Sequence, residues 1–120
     1  MAGDELKMLM REVPQPVCVV TVDVNGQQAG LTVVSLVSLS LEPPLVGVAV
    51  RRQAALHELM RDAGAFAVSI LAAGQEGLAQ HFARGVPPLV LWQGIEMRNG
   101  ELGAPLIEGA LGWIGVRDDE

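Results

Sequence analysis

The sequence is poor in the residues that build disulfides, metal sites and many catalytic sites. Among its 120 residues there are one cysteine, two histidines and no tyrosine. A single cysteine, Cys18, excludes an internal disulfide and fits a reducing compartment. The cysteine and the two histidines, His57 and His81, lie far apart along the chain and match no recognised ligand spacing. We therefore expect no metal site.

Basic residues are also scarce. Lysine and arginine number 8 against 14 acidic residues, which gives a formal net charge of −6. A protein that binds nucleic acid needs a basic stripe to displace counterions, and this chain offers only the pair Arg51-Arg52. The same shortage argues against binding to an anionic membrane surface. We expect neither nucleic acid nor a membrane as a partner.

Apolar residues are abundant, but they do not form a membrane span. They make up 50% of the chain against 18% charged residues, so a packed core is expected and disorder is excluded. The uncharged stretch 24–41 is interrupted by amides and three serines, and the start of the chain carries Asp4 and Glu5 where a secretory signal would be apolar. We expect a cytoplasmic protein, and the apolar excess favours an oligomer.

Turn residues and hydrophobic periodicity predict several strands and a few peripheral helices. Asn25-Gly26 is typical of a type I′ turn and predicts a hairpin between strands 17–24 and 27–34. Helices are predicted over 4–12, from near Gln53 to Ala63 with Gly64 as the C-cap, and over 75–84. Further predictions are strands at 45–50, 66–72 and 110–117 and a turn at Asn99-Gly100. Residues 1–120 then form a single domain, an antiparallel barrel or sheet with peripheral helices.

A cluster of hydroxyl residues is the best candidate for a site. No Gly-x-Ser-x-Gly elbow, Walker or Rossmann pattern or carboxylate pair is present, so a bound cofactor would supply the chemistry. Thr32, Ser35, Ser38 and Ser40 are predicted to lie in an extended loop, where hydroxyl and N–H groups suit a heterocycle's amide edge or a phosphate. The alternative is that they only satisfy loop backbone groups. The pair Arg51-Arg52 either clamps a phosphate or is a solvated strand end.

Four segments carry a resemblance to a known family. Residues 30–46 contain Gly-x-Thr-x-x-Ser-x-x-Ser-x-Ser-x-x-Pro-Pro-Leu and closely resemble the signature of the flavin reductase-like, FMN-binding split-barrel family. Residues 66–71 resemble its Phe-x-Val-x-x-Leu strand, and residues 75–83 its glutamine-containing helix that ends in Phe-Ala. Trp92 and residues 103–111 resemble the stretch before the late barrel strand.

The resemblance implies a mainly β fold, an antiparallel Greek-key split β-barrel that forms a homodimer. It implies FMN as the cofactor, with FAD as the alternative, and NAD(P)H as the co-substrate. Thr32, Val33, Val34 and Ser35 would line the isoalloxazine ring, in the same flavin-binding segment as Gly30 and Leu31. Ser38, Arg51 and Arg52 would face the ribityl phosphate. No residue is assigned a catalytic acid or base role.

The implied activity is that of a flavin reductase, which transfers hydride from NAD(P)H to flavin. The reduced flavin would pass to an acceptor or to a partner oxygenase, such as a flavin-dependent monooxygenase. Two alternatives stay open: a non-catalytic electron-transfer protein that holds FMN, similar to flavoredoxin, and a flavin-free structural relative.

The sequence departs from the family pattern in three places. Ala54, Ala55 and Leu56 follow the arginine pair where members usually carry Ser or Thr, which removes hydrogen bonds to the phosphate. The early Pro-Thr-Gly-Val stretch of the family reads Pro14-Gln15-Pro16-Val17. Members also continue into a Gly-Asp-His segment that serves the nicotinamide and then into closing strands. We expect the sequence to be a fragment that lacks these C-terminal strands rather than a short variant.

Four single residues have structural and functional interpretations. Cys18, in an apolar strand, is expected to be inert packing rather than a redox thiol. His57 and His81, both on helices, are expected to be surface or half-buried residues rather than catalytic ones. Trp92 either covers a face of the flavin or fills a core or dimer seam, and the second interpretation is favoured.

Overall fold

The computed structural model describes residues 3–12, 16–50, 55–84 and 88–117. Its helices are α1 (Gly3–Glu12), α2 (Ala55–Ala63), α3 (Glu76–Ala83) and α4 (Pro88–Leu91). Its strands are β1 (Cys18–Val24), β2 (Gln27–Val33), β3 (Val37–Leu41), β4 (Pro44–Gly47), β5 (Ala65–Ile70), β6 (Met97–Asn99), β7 (Pro105–Ile107) and β8 (Gly112–Arg117).

The predicted hairpin between the first two strands is confirmed. Strands β1 and β2 pair antiparallel from Cys18 opposite Val33 to Val24 opposite Gln27. Asn25 and Gly26 have φ values of 54° and 89°, the left-handed pair that a type I′ turn requires. The Asp23 carboxylate accepts a hydrogen bond of 2.9 Å from the Gly26 N–H and closes the turn.

The hairpin belongs to a four-stranded antiparallel sheet with the order β2-β1-β5-β8. Side chains on a strand point alternately to opposite faces, so the sheet has two distinct packing surfaces. One face is aliphatic and contains Val20, Val22 and Val68, which are fully buried. Helix α2 covers this face with Leu56, Leu59, Met60 and Ala63, the four residues that the sequence places on one side of it.

The opposite face carries the buried hydroxyls of Thr21 and Ser69, and other elements approach it closely. The Thr21 hydroxyl donates a hydrogen bond of 2.6 Å to the Pro105 carbonyl, and the Ser69 hydroxyl accepts one of 3.1 Å from the Ile107 N–H. Both bonds are buried and fasten the β6–β7 hairpin to the sheet. Helix α3 packs on the same face through Phe82, which is almost fully buried and makes an edge contact with the partly buried ring of Trp92.

The serine-rich segment forms a strand instead of the predicted extended loop. Residues Val37–Leu41 pair antiparallel with β4, and a bulge interrupts the register between Ser38 and Ser40. Pairing with β4, across a turn at residues 42 and 43, hydrogen-bonds the backbone along one edge of the strand. The hairpin leaves four apolar side chains exposed, those of Val37, Leu39, Leu41 and Leu45.

Several predicted boundaries differ from the observed ones. Strand β4 ends at Gly47 rather than at residue 50, β5 ends at Ile70, and β8 begins at Gly112. The reversal predicted at Asn99-Gly100 lies at 100–103, where Gly103 has a φ of 87° and its N–H bonds the Gly100 carbonyl. Helix α4 was not predicted from the sequence. Among the described residues, no helix is long and apolar enough to cross a membrane.

Candidate functional site

Four strand ends meet at one end of the main sheet. Val17 precedes β1 and continues the register that pairs Cys18 with Val33, which brings Val17 beside Val34. The Leu71 N–H donates to the Val17 carbonyl at 2.9 Å, and the Leu111 N–H donates to the Ile70 carbonyl at 2.7 Å. The predicted flavin-binding segment therefore leaves β2 at the same place where β1 and β8 begin and β5 ends.

A cleft of about 520 Å³ opens at this end of the sheet, and we refer to it as the sheet-end cleft. A volume of this size falls within the range of small-molecule and cofactor sites, roughly 300–1,000 Å³. Its walls are mainly apolar, and its polar side chains come from helix α3 and the residue before it. The residues that line it are Pro16, Val17, Ile70, Leu71, Ala72, Ala73, Gln75, Glu76, Ala79, Gln80 and Leu111.

Residues 30–33 of the predicted site lie in β2, and their side chains serve the fold. Leu31 and Val33 pack into the aliphatic core below α2. Gly30 faces Phe82, so closely that an added Cβ would lie 2.9 Å from the Phe82 ring. The Thr32 hydroxyl donates a hydrogen bond of 2.6 Å to the carbonyl of Ala79, which lines the sheet-end cleft.

Beyond β2 the predicted residues become accessible. Val34 is about half exposed, and Ser38 is exposed on β3. The Ser35 hydroxyl accepts a hydrogen bond from the Ala49 N–H at 2.9 Å and donates one to the Ala49 carbonyl at 3.2 Å. Ser35 therefore ties the start of the serine segment to the chain that leads toward residues 51 and 52. The Ser35 hydroxyl thus satisfies backbone groups of a loop, which is the alternative role considered above for these hydroxyl residues.

The arginine corner lies outside the described residues. This holds for Arg51, Arg52, Gln53 and Ala54, and likewise for the Pro14-Gln15 part of the early stretch. Gly85, the residue after the helix predicted over 75–84, falls in another such segment. The assignment of the arginines to a phosphate therefore stays a prediction from the sequence.

The single residues take structural positions. The Trp92 ring packs against Phe82 at 5.2 Å between centroids, and its Nε1–H donates to the Gln28 carbonyl at 3.1 Å, so it fills the core.

The histidines and the cysteine also have structural positions. The ring N–H at Nε2 of His81 donates a hydrogen bond of 2.6 Å to the Leu91 carbonyl, which joins α3 to α4. His57 is half-buried. Cys18 is fully buried, and desolvation raises the pKa of its thiol, which keeps it neutral and unreactive.

Two other clefts, each of about 540 Å³, flank strand β8. The one between β4 and β8 is walled by core residues such as Met60, Phe66 and Val116 and has one charged side chain, Arg117. The other lies below the β6–β7 turn against Trp113, whose indole is held by the Ile107 carbonyl at 2.8 Å. Within the described residues, no side-chain hydrogen bond joins the lining of either cleft to β2, whereas Thr32 joins β2 to the sheet-end cleft. No cluster of three or more potential metal ligands occurs in the described parts of the chain.

Sequence reasoning missed most of the sheet-end cleft. Leu71, Ala79 and Leu111 come from three separate segments, and only the fold brings them together. Two glycines with positive φ, Gly74 at 92° and Gly109 at 79°, lie in the loops that shape it. These two glycines were the signal in the sequence that could have located the cleft, because loops beside a sheet end are frequent positions of binding sites.

Comparison with known proteins agrees with this architecture. Residues 10–118 match the family model described as the flavin reductase like domain. The chain is 41% identical over 110 residues to an NADH-dependent FAD reductase of Streptomyces globisporus, covering 89% of this chain and 60% of that protein. It is 40% identical over 101 residues to the reductase component of 4-hydroxyphenylacetate 3-monooxygenase of Thermus thermophilus, covering 84% of this chain and 61% of that protein.

A solved structure resembles the whole fold. The NADH:FAD oxidoreductase SgcE6 of Streptomyces globisporus C-1027 superposes with a TM-score of 0.87 at 37% identity, covering 95% of this chain and 69% of that one. The predicted fold class, an antiparallel split β-barrel, is confirmed. The chain spans about three fifths of the length of the two curated relatives, at 60% and 61%. By sequence and by fold, the chain belongs to the flavin reductase-like family.

Proposed function

We propose that the protein is a flavin reductase. It would bind FMN or FAD at the sheet end and catalyse hydride transfer from NAD(P)H to that flavin. The observation that carries this proposal is the sheet-end cleft, which lies beside the exit of the flavin-binding segment from β2 and is linked to it by the bond from Thr32 to Ala79. The names of two relatives, an FAD reductase and a monooxygenase reductase component, support the same activity.

The residues of the cleft fit a flavin ring better than they fit a charged substrate. Its walls offer Val17, Leu71 and Leu111 to the apolar faces of a planar ring. The amide of Gln80 and the backbone at Ala73 line the cleft and offer donors and acceptors for the polar edge of a heterocycle. The bound flavin supplies the redox chemistry, so the protein needs only to orient the ring and to exclude water. This explains a site without an acid–base pair among its lining residues.

We further propose a homodimer that acts in the cytoplasm and delivers reduced flavin to a partner oxygenase. Support for the dimer comes from two exposed apolar surfaces, one on α1 (Leu6, Met8 and Leu9) and one on the β3–β4 hairpin (Val37, Leu39, Leu41 and Leu45). Contiguous apolar patches on a small domain are typical of interaction sites. Sedimentation at micromolar concentration tests the dimer: a species of twice the chain mass is expected, and monomer alone would refute it.

The activity is tested by NADH oxidation with and without added flavin. We expect oxidation that requires FMN or FAD. NADH oxidation without flavin binding, or flavin bound without any reduction by NADH or NADPH, would count against a flavin reductase; the second result would favour an electron-transfer protein.

The position of the ring is tested by filling the cleft. Ala73 is exposed and lines the cleft, so Ala73→Trp places an indole in it without disturbing the core. Ala83→Trp is the matched control, since Ala83 is also exposed but does not line the cleft. We expect FMN affinity, measured by flavin fluorescence, to fall at least ~10-fold in the first variant and to stay unchanged in the second. Equal affinities would place the ring elsewhere.

A further inference from the structure

The side chain of Gln75 joins two loops that line the sheet-end cleft. Its Oε1 accepts a hydrogen bond of 2.8 Å from the Ala72 N–H, in the loop between β5 and α3. Its Nε2 donates a bond of 3.1 Å to the Glu108 carbonyl, 33 residues further along the chain. Both bonds are partly buried. One amide group therefore holds the start of α3 against the segment that leads into β8.

That segment, residues 108–111, is here called the Leu111 loop. It is anchored at its first residue by Gln75 and at its last by the Leu111 N–H, which donates to the Ile70 carbonyl at 2.7 Å. The Glu108 carboxylate is held on the other side by Arg98, with contacts of 2.6 and 3.0 Å. The loop thus has a fixed path between two strands, although its own backbone forms no regular structure.

Gly109 makes the contact between the Leu111 loop and Gln75 possible. Its φ of 79° lies in the left-handed region, and a Cβ at this position would lie 3.2 Å from the Gln75 Nε2. A side chain would therefore be strained and would press on the amide that donates to Glu108. Gly109 and Gln75 therefore form one packing unit, and a substitution of either residue should disturb the contact between them.

Leu111 is the apolar side chain that this arrangement holds at the mouth of the cleft. It is 77% exposed, yet it lines the cleft together with Val17 and Leu71. The burial of an exposed leucine against a planar ring is favourable, because apolar surface leaves water. The loop places that side chain where a bound ring would cover it.

We propose that Gln75 is a positioning residue for the flavin: it holds the Leu111 loop as the outer wall of the cleft, so that Leu111 packs against the bound ring. This inference rests on the proposed function, since it takes the ring to bind in the sheet-end cleft. Hydride transfer depends on holding donor and acceptor at roughly 3–3.5 Å, so a ring that shifts loses both affinity and rate. Gln75 acts through the loop and does not itself react.

Two substitutions disturb this unit from opposite sides. Gln75→Met keeps the length of the side chain and removes both hydrogen bonds. Gly109→Ala keeps Gln75 and adds the methyl group that presses on its amide. Gly103→Ala is the matched control, because Gly103 has a similar φ of 87° but no atom within 4 Å of an added Cβ. All three variants are compared with the unchanged protein, at a temperature where circular dichroism shows each of them folded.

The readouts are the FMN dissociation constant and the flavin KM and kcat of NADH oxidation. We expect Gln75→Met and Gly109→Ala each to raise the dissociation constant and the flavin KM roughly 5- to 20-fold, with Gly103→Ala unchanged. The double variant should be little worse than either single one, because both changes act on one contact. A merely structural role would lower kcat by reducing the folded fraction and would leave KM unchanged.

The outcomes separate this inference from the proposed function. Suppose that Ala73→Trp weakens FMN binding, while Gln75→Met and Gly109→Ala bind FMN as tightly as the control Gly103→Ala. The ring then binds in the cleft, and the proposed role of Gln75 is overturned. If Ala73→Trp leaves binding unchanged, the placement of the ring fails first. If Gln75→Met does not fold, Gly109→Ala carries the test: unchanged affinity in that variant alone contradicts the inference.

Discussion

Replacing Gly30 by alanine tests whether this residue serves packing rather than the flavin. The new Cβ would lie 2.9 Å from two atoms of the Phe82 ring, closer than real Cβ contacts come. Phe82 is almost fully buried and makes edge contacts with Trp92 and with the ring of His81, at centroid distances of 5.2 and 5.4 Å. Since the ring cannot move without disturbing these neighbours, overpacking should lower the free energy of unfolding by about 1–3 kcal/mol.

The assay is thermal unfolding followed by circular dichroism, with Gly112→Ala as the control. Gly112 also lies in a strand of the main sheet, but nothing lies within 4 Å of an added Cβ there. Gly30→Ala should lower Tm by about 4–12 °C, whereas the control should change little. Phe82→Leu in the Gly30→Ala background should recover part of the loss, since a smaller side chain relieves the overlap. Equal melting temperatures for the two glycine variants would refute the packing argument.

Three further changes test other parts of the account. Thr21→Val leaves the buried Pro105 carbonyl without its donor, and urea unfolding should show a loss of about 1–3 kcal/mol. The buried Cys18 thiol, whose pKa is raised, should react with a thiol reagent at pH 8 only after denaturation, and rapid reaction of the native protein would contradict its burial. Replacing Arg51 and Arg52 by alanine should weaken FMN by roughly 1.5–3 kcal/mol per lost charge-assisted bond while sparing riboflavin, and equal weakening would exclude a phosphate role.

Local signals in the sequence predicted the elements that local chemistry determines. Asn25-Gly26 predicted the first hairpin because only a few residue pairs adopt a type I′ turn, and the structure has it there. The apolar face of α2 was predicted from its spacing, with Leu56 as its most buried member. Such patterns depend on neighbours three or four residues apart, so they can be read without the fold.

The roles of the hydroxyl residues were beyond the same reasoning. The serines of β3 were assigned to a loop because their hydroxyls suggested binding, but the segment pairs with β4 across a two-residue turn, with a bulge in β3 between Ser38 and Ser40. The hydroxyl of Thr32, predicted to line the flavin, donates a hydrogen bond to the carbonyl of Ala79 in α3, a contact that its spacing in the motif does not reveal. A polar side chain in a motif can therefore be required for the scaffold of a site as readily as for its ligand.

The central claim is that a flavin ring binds in the sheet-end cleft, and a crystal structure of the protein with FMN tests it most directly. The account predicts electron density for the isoalloxazine ring against Val17, Leu71 and Leu111, with the phosphate directed toward residues 51 and 52. Density for the ring in the cleft between β4 and β8, or below the β6–β7 turn against Trp113, would contradict it.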